Sequence, residues 1–307
     1  MLESAGNLLS LYEDRPNDYD AWDIDFYYRD ALKEIAAATD TMPGSTGSVM
    51  KELILSFTIG RSSIKQKVML YPHSKRLDFE TKVDWKEKHK MLRVHFPVNV
   101  RTEQATFDIQ YGHVKRNTHR NTSWDKAKFE VVGHKYADLS DHNYGVALMN
   151  NCKYGYMIHN NILDLNLLRS SNNPDPDADQ GQHQFTYSIL PHNHDFIHSD
   201  VIAESSCLNQ QPILFKDVES QIEMPIRLEG DGVELSVLKK AENKNDLILR
   251  IIETHGKYSN GVLYIKGTLA ESDLMEWNQI GEKMHVDESV QLNLKPFEIR
   301  TFGLNTI

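Results

Sequence analysis

The sequence predicts an all-β fold of stacked β-sandwiches, and three observations carry that prediction. Apolar and polar residues alternate with a period of two along much of the chain, turn-forming clusters separate the alternating runs, and helical stretches are scarce. Successive side chains of a strand point to opposite faces, so alternation is what one buried and one wetted face require. Many short antiparallel strands without intervening helices bury their apolar faces against a second sheet.

Taken in order, the first segment is an exception. Tyr28-Arg-Asp-Ala-Leu-Lys-Glu-Ile-Ala-Ala-Ala is a run of good helix formers with Leu32 and Ile35 three apart, which predicts a short helix. Strands follow. In Ile64–Leu70 the residues Ile64, Val68 and Leu70 point inward and Lys65 and Lys67 outward. In Arg76–Val83 the apolar Leu77, Phe79 and Val83 alternate with Arg76, Asp78, Glu80 and Lys82. The same pattern predicts strands at Met91–Phe96, Thr106–Tyr111, Lys128–Tyr136 and Phe185–Leu190. Beyond them come Val233–Leu238, Leu247–Ile252, Val262–Ile265 and Val290–Leu294. Clusters such as Tyr71-Pro-His-Ser, Glu229-Gly-Asp-Gly and Tyr258-Ser-Asn-Gly supply the turns. At about 150 residues per domain, 307 residues allow one large or two ordinary domains. The shift from Pro212-Ile-Leu-Phe to the polar Lys216-Asp-Val-Glu-Ser-Gln places a boundary near Gln211–Glu229. A larger β-domain over 1–220 and a small sandwich over 221–307 are therefore expected.

Composition narrows the function. Lys and Arg total 34 against 44 Asp and Glu, a net charge of −10, which argues against a nucleic-acid partner. A charged fraction of 25% and an apolar fraction of 40% are globular values. Uncharged, mostly apolar runs such as Tyr144–Met149, six residues, fall far short of the about 20 that a spanning helix needs, so no membrane partner is expected. The N-terminus shows no basic region followed by an apolar one, so no signal peptide is expected. Cys152 and Cys207 form no CxxC, and buried thiols in a reducing, cytoplasmic setting are expected.

Four polar constellations stand out. In Glu13-Asp-Arg-Pro-Asn-Asp-Tyr-Asp-Ala-Trp-Asp-Ile-Asp, seven of thirteen residues are charged, with Tyr19 and Trp22 interleaved. Aromatic faces beside carboxylates suit sugars, and a solvated turn is the alternative. Asp175-Pro-Asp-Ala-Asp-Gln-Gly-Gln-His has Gln180 and Thr186 where an EF-hand loop needs Gly and Glu. What remains is an acidic loop that presents Asp177, Asp179 and His183 to a polar ligand, or an ordinary exposed loop. His192-Asn-His-Asp-Phe-Ile-His has zinc-ligand types without a rigid frame, and a polar surface loop is the simpler reading. Arg116-Asn-Thr-His-Arg-Asn-Thr-Ser-Trp-Asp is read as a hydrogen-bonded structural loop. No GxSxG elbow, P-loop, dinucleotide fingerprint or HExxH occurs.

The run from Tyr12 to Asp25 resembles the start of the C-terminal region of glycoside hydrolase family 38, the α-mannosidases. The resemblance continues in order through Val83-Asp-Trp-Lys-Glu-Lys-His, Arg116 to Val131, Tyr144-Gly-Val-Ala-Leu-Met-Asn, Leu167-Leu-Arg-Ser, Pro174 to His192 and Leu294-Lys-Pro-Phe-Glu-Ile-Arg-Thr-Phe. It is closest to the bacterial and cytosolic branch of the family.

The resemblance implies a galactose-mutarotase-like supersandwich followed by a small C-terminal β-sandwich. It implies retaining hydrolysis of terminal α-mannosides by an Asp nucleophile beside zinc, all on an N-terminal α/β catalytic domain. This sequence has no GHxHxD-like segment, so no catalytic residue or metal ligand is assigned here, and Met1 is expected to fall part-way through a longer protein. The implied substrate-binding residues are Asp20, Trp22 and Asp23, walling the sugar site, with Arg169, Asp177, Asp179 and His183 on a loop at its rim. The implied partners are the N-terminal catalytic domain, mannosides or oligosaccharides, and a second copy of the chain through surface left uncovered. Two other classes stay open: a stand-alone carbohydrate-binding module, and a mutarotase-like epimerase working through His and Glu.

Overall fold

The computed structural model describes residues 2–216 and 225–305. Two compact units divide the chain: Met1–Asp108 with Val114–Gln211, and Ile109–His113 with Pro212–Ile307.

The strands, in chain order, begin with β1 (Leu8–Glu13), β2 (Leu32–Ile35), β3 (Ala38–Thr46), β4 (Lys51–Ile59) and β5 (Ser62–Leu70). They continue with β6 (Leu77–Trp85), β7 (Lys90–Pro97), β8 (Gln104–Ile109), β9 (Gly112–Asn117) and β10 (Val131–Val132). Then come β11 (Tyr136–Ser140), β12 (Tyr144–Asn150), β13 (Gly155–His159), β14 (Ile162–Ser170) and the long β15 (Gly181–Asn193). One six-stranded sheet has the order β10-β13-β14-β7-β1-β2, and a nine-stranded sheet has the order β3-β4-β5-β6-β15-β12-β11-β8-β9.

Alternation puts Leu9 and Leu11 of β1, Leu92, Val94 and Phe96 of β7, and Leu163 and Leu165 of β14 on one inner face. Phe57, Ile64, Phe79, Val83, Phe185 and Tyr187 come from the other sheet into the same core. Phe79 and Tyr187 stack with ring centroids 5.1 Å apart. The core also buries Gln66, whose amide donates to Tyr187 Oη at 2.8 Å and Thr81 Oγ1 at 2.9 Å. Those bonds offset the cost of burying an amide.

The outer face of the nine-stranded sheet is partly covered. Tyr136, Ala147, Met149 and Leu190 pack with Phe196 and with Val201 of helix α2 (Val201–Asn209), after the short helix α1 (Ser123–Ala127) earlier in the chain. Arg76 ties α2 to the sheet, pairing with Asp78 at 2.7 Å and Glu204 at 2.9 Å. On the outer face of the other sheet the fully buried Arg93 pairs with Asp164 at 2.7 Å and Glu130 at 3.1 Å. Tyr28 closes over that group, its ring 5.5 Å from the Arg93 guanidinium carbon.

The second unit contains β16 (Arg227–Glu229), β17 (Val233–Lys240), β18 (Leu247–Glu253), β19 (Ser259–Tyr264), β20 (Gly267–Ser272), β21 (Gln279–Val286), β22 (Ser289–Leu294) and β23 (Ile299–Asn305). Sheets β16-β19-β22 and β17-β18-β23-β20-β21 enclose Leu249, Ile251, Leu263, Leu292, Phe302 and Leu304. Among the described residues no helix is long and apolar enough to cross a membrane.

Several expectations are corrected. No helix spans 28–38: a single 3-10 turn at Phe26–Asp30 leads into β2 and then β3. Leu32 and Ile35 are 44% and 50% exposed, so a helix there would have no apolar face to bury; pairing with β1, with Ser10 opposite Ile35, satisfies the backbone instead. The strand expected over Lys128–Tyr136 is broken into β10 and β11, which belong to different sheets. Gly133 lies at that crossing, where a Cβ would come within 3.2 Å of Phe107 and Tyr156. Leu70, expected inside, is 46% exposed. Both cysteines are free but exposed, not buried.

Candidate functional site

The residues singled out around Trp22 and around Asp179 converge on the first unit, and Arg169 joins them. Arg169 sits near the end of β14, where a bulge between Asn166 and Leu168 shifts the register against β7. Its Nε donates to Asp14 Oδ2 at 2.6 Å, and Nη2 donates to the carbonyl of Asp20 at 2.8 Å. Further donations reach the carbonyls of Ala21, at 3.2 Å, and Asp23. A planar guanidinium with five fixed donors is suited to gripping one carboxylate and several carbonyls of a turn at once. Burial pushes the Asp14 carboxyl above the usual carboxylate range, while the Arg169 charge opposes that rise.

Asp20 closes the same junction from the other side, its Oδ2 accepting from the backbone N–H groups of Asn172 at 2.6 Å and Asn173 at 3.0 Å. Trp22 sits at the tip of the turn held in this way, 71% exposed, with Tyr19 equally exposed beside it. Asp23 is exposed as well and contributes its carbonyl to Arg169. The charged run from Glu13 is thus a turn clamped from below that presents an aromatic ring to solvent.

Asp177 lies on the following loop and pairs with Lys88 at 2.9 Å. Asp179 has a left-handed backbone with φ of 58°, and its carbonyl accepts from His183 Nε2 at 2.7 Å. Arg169, Asp179 and His183 line one open cleft of about 230 Å³, together with Cys152, Lys153 and Asn166. Asp177 and Trp22 do not line it. Lys153 lies over the Phe185 ring, 4.6 Å from its centroid. Burial pushes the Lys153 amine down, against the neighbouring Cys152 and Asp179, and burial pushes the Cys152 thiol up. Lys153 and Asn166 carry no local signature in the sequence; the strand pairing of β13 with β14 brings them together.

The donors and acceptors of this cleft suit hydroxyl groups, and Asp179 is the one carboxylate among its described lining residues. Retaining glycoside hydrolysis needs two carboxyl groups about 5 Å apart. Nor does the donor set fit zinc: among the described residues no three His, Cys, Asp or Glu side chains are grouped to hold a metal ion. The His192–His198 stretch is divided between two roles. His192 is buried and paired with Asp138 at 2.7 Å, whereas His198 pairs with Asp195 at 2.6 Å. The segment read as a loop from Arg116 is one only between β9 and α1, with Thr122 Oγ1 capping α1 through the Asp125 N–H at 3.1 Å.

Residues 1–177 match the family model described as the glycosyl hydrolases family 38 C-terminal domain. The chain belongs to glycoside hydrolase family 38. Residues 232–302 match a second model of that family, its C-terminal beta sandwich domain. Alpha-mannosidase G of Dictyostelium discoideum is 36% identical over 316 residues, covering 97% of this chain and 29% of its own length. Human alpha-mannosidase 2C1 is 36% identical over 309 residues, covering 96% of this chain and 30% of its own length. The chain therefore spans about 30% of the length of these family 38 relatives. A crystal structure of an alpha-mannosidase from Enterococcus faecalis V583 shares the fold, with a TM-score of 0.77 at 18% identity over 98% of this chain and 38% of that one.

Proposed function

We propose that this chain is the β-sandwich portion of a zinc-dependent, retaining α-mannosidase acting on terminal α-mannosides. In this reading it shapes one side of the sugar pocket, and the nucleophile and zinc ligands lie on a catalytic domain outside this sequence. The observation that carries it is coverage: curated α-mannosidases align with 96–98% of this chain, yet the aligned part is only 29–31% of their length. The clamped turn supports the pocket role. Arg169 and Asp20 fix the backbone under Trp22, so the turn that carries the ring is held in place before a sugar arrives. Asp179 and His183 then stand as the polar groups at the rim, with Asp23 and Asp177 on the flanking loops. Two free thiols fit a reducing compartment, and the proposal places the protein in the cytoplasm.

The test is hydrolysis of an aryl α-mannoside by the 307-residue chain with zinc or cobalt added, beside the same chain extended upstream into a catalytic domain. Activity only in the extended protein is expected, with Trp22→Ala raising its KM. Zinc-dependent mannose release by the short chain would overturn the reading.

A further inference from the structure

The Arg116 segment has a feature that loop architecture does not use. Lys115, Arg116 and Lys128 line a cleft of about 250 Å³ together with Asn117 and Asp125. The cleft lies between the β9 edge of the nine-stranded sheet and Val131 at the β10 edge of the other sheet, over an apolar floor that includes Phe107 and Ile158. The Arg116 guanidinium carbon stands 4.6 Å from the centroid of the Phe107 ring. Its Nη1 is buried and makes no hydrogen bond. Among the described residues no carboxylate pairs with Arg116, Lys115 or Lys128.

The single lining carboxylate is already engaged. Asp125 accepts from Asn117 Nδ2 at 2.9 Å and from Thr122 Oγ1 at 2.7 Å, with His119 3.7 Å away. Three cations therefore face one occupied carboxylate, in a chain whose overall charge is −10. Burial alone pushes the Arg116 guanidinium down, with no neighbouring anion acting against it. A buried donor left unmade is costly, and an apolar floor strengthens any charge interaction above it.

We infer that this cleft is an oxyanion site for a phosphate group, free or as a monoester, gripped by Arg116 and flanked by Lys115 and Lys128. The planar fork of an arginine matches two oxygens of a tetrahedral oxyanion, and the two lysines add charge without demanding a fixed direction. At about 30 Å³ per water the cleft holds roughly eight waters, room for a phosphate and part of its hydration shell. The site is independent of the mannosidase reading, because neither Arg169 nor Asp179 takes part in it.

Calorimetric titration of the full chain with inorganic phosphate, at constant ionic strength against potassium chloride, tests the inference. Saturable one-site binding with a Kd of about 1 mM or tighter is expected. Arg116→Gln and Lys128→Gln should each weaken it about tenfold, and Lys65→Gln, on an exposed position of β5, should leave it unchanged. Lys128 is exposed, so its variant reports on binding even if Arg116→Gln perturbs the fold. No saturation by about 10 mM phosphate, binding that survives both variants, or acetate competing equally would each overturn the assignment.

Discussion

Arg169 shows how a residue named through a family resemblance acquires its role from a distant part of the chain. Its carboxylate partner, Asp14, is 155 positions away in the chain. No local pattern can reveal such a pair; the charge run around Trp22 was legible and the resemblance named Arg169, but the bond to Asp14 that places its guanidinium under the turn was not. Asp14 is 1% exposed, so removal of Arg169 leaves an uncompensated charge inside the protein and frees three carbonyls of the turn. Arg169→Met is expected to lower stability to urea by about 3 kcal/mol. Arg169→Met combined with Asp14→Asn should recover part of that loss, because the stranded charge is then gone. A loss under about 1 kcal/mol in the single variant would mean that the pair is solvated and the clamp unimportant. Arg169→Lys should fail as a rescue, since one ammonium cannot reach the carboxylate and the turn carbonyls together.

Strands with one wet face announce themselves, and those with two similar faces do not. The alternation of β5, β6, β19 and β22 was readable because each has a buried and a wetter side. β12 is buried along nearly all of its length, because α2 and the core cover its two faces, and its Tyr144–Met149 segment reads only as an apolar run. β14 hides its pattern differently: the bulge after Asn166 puts both Leu167 and Leu168 inside, which breaks the period of two. Gly145 of β12 has a further duty. It pairs with Ser140 on one side and His192 on the other, and its missing side chain lets the His192 ring cross toward Asp138. Burial pushes the His192 imidazole down, but the hydrogen bond and charge of Asp138 together raise it above its usual value. A Cβ at Gly145 would overlap the His192 ring and come within 2.6 Å of Ser140 Cβ. Gly145→Ala is therefore expected to cost about 2 kcal/mol by overpacking, read from thermal unfolding. The His192 NMR titration should shift with it if the pair is broken; an unchanged Tm and titration would show that the strand yields instead.

On the scale of the whole molecule, the collinear family blocks identified the lineage before any element was known, and most of them fall in the larger unit. What they leave out is surface. The inner face of the nine-stranded sheet begins buried at Phe57 and Ile64, which lie opposite each other across β4 and β5. Two residues further along, Leu55 is only partly covered, and at the far end Leu53 and Leu70 are 40% and 46% exposed. Val68 and Leu77 continue the same row, opposite Leu53 and Leu70 respectively. Three strands more than the facing sheet has leave this corner of the sandwich overhanging it. An apolar sheet face of this kind is an association surface, since burial gains about 25 cal/mol per Å². The isolated chain is therefore expected to dimerise at high micromolar concentration through this corner. In sedimentation velocity, Leu53→Lys with Leu70→Lys should return it to monomer without lowering Tm, because both side chains already touch water. A clean monomer in the unaltered chain would show that the overhang is too small to hold a second copy.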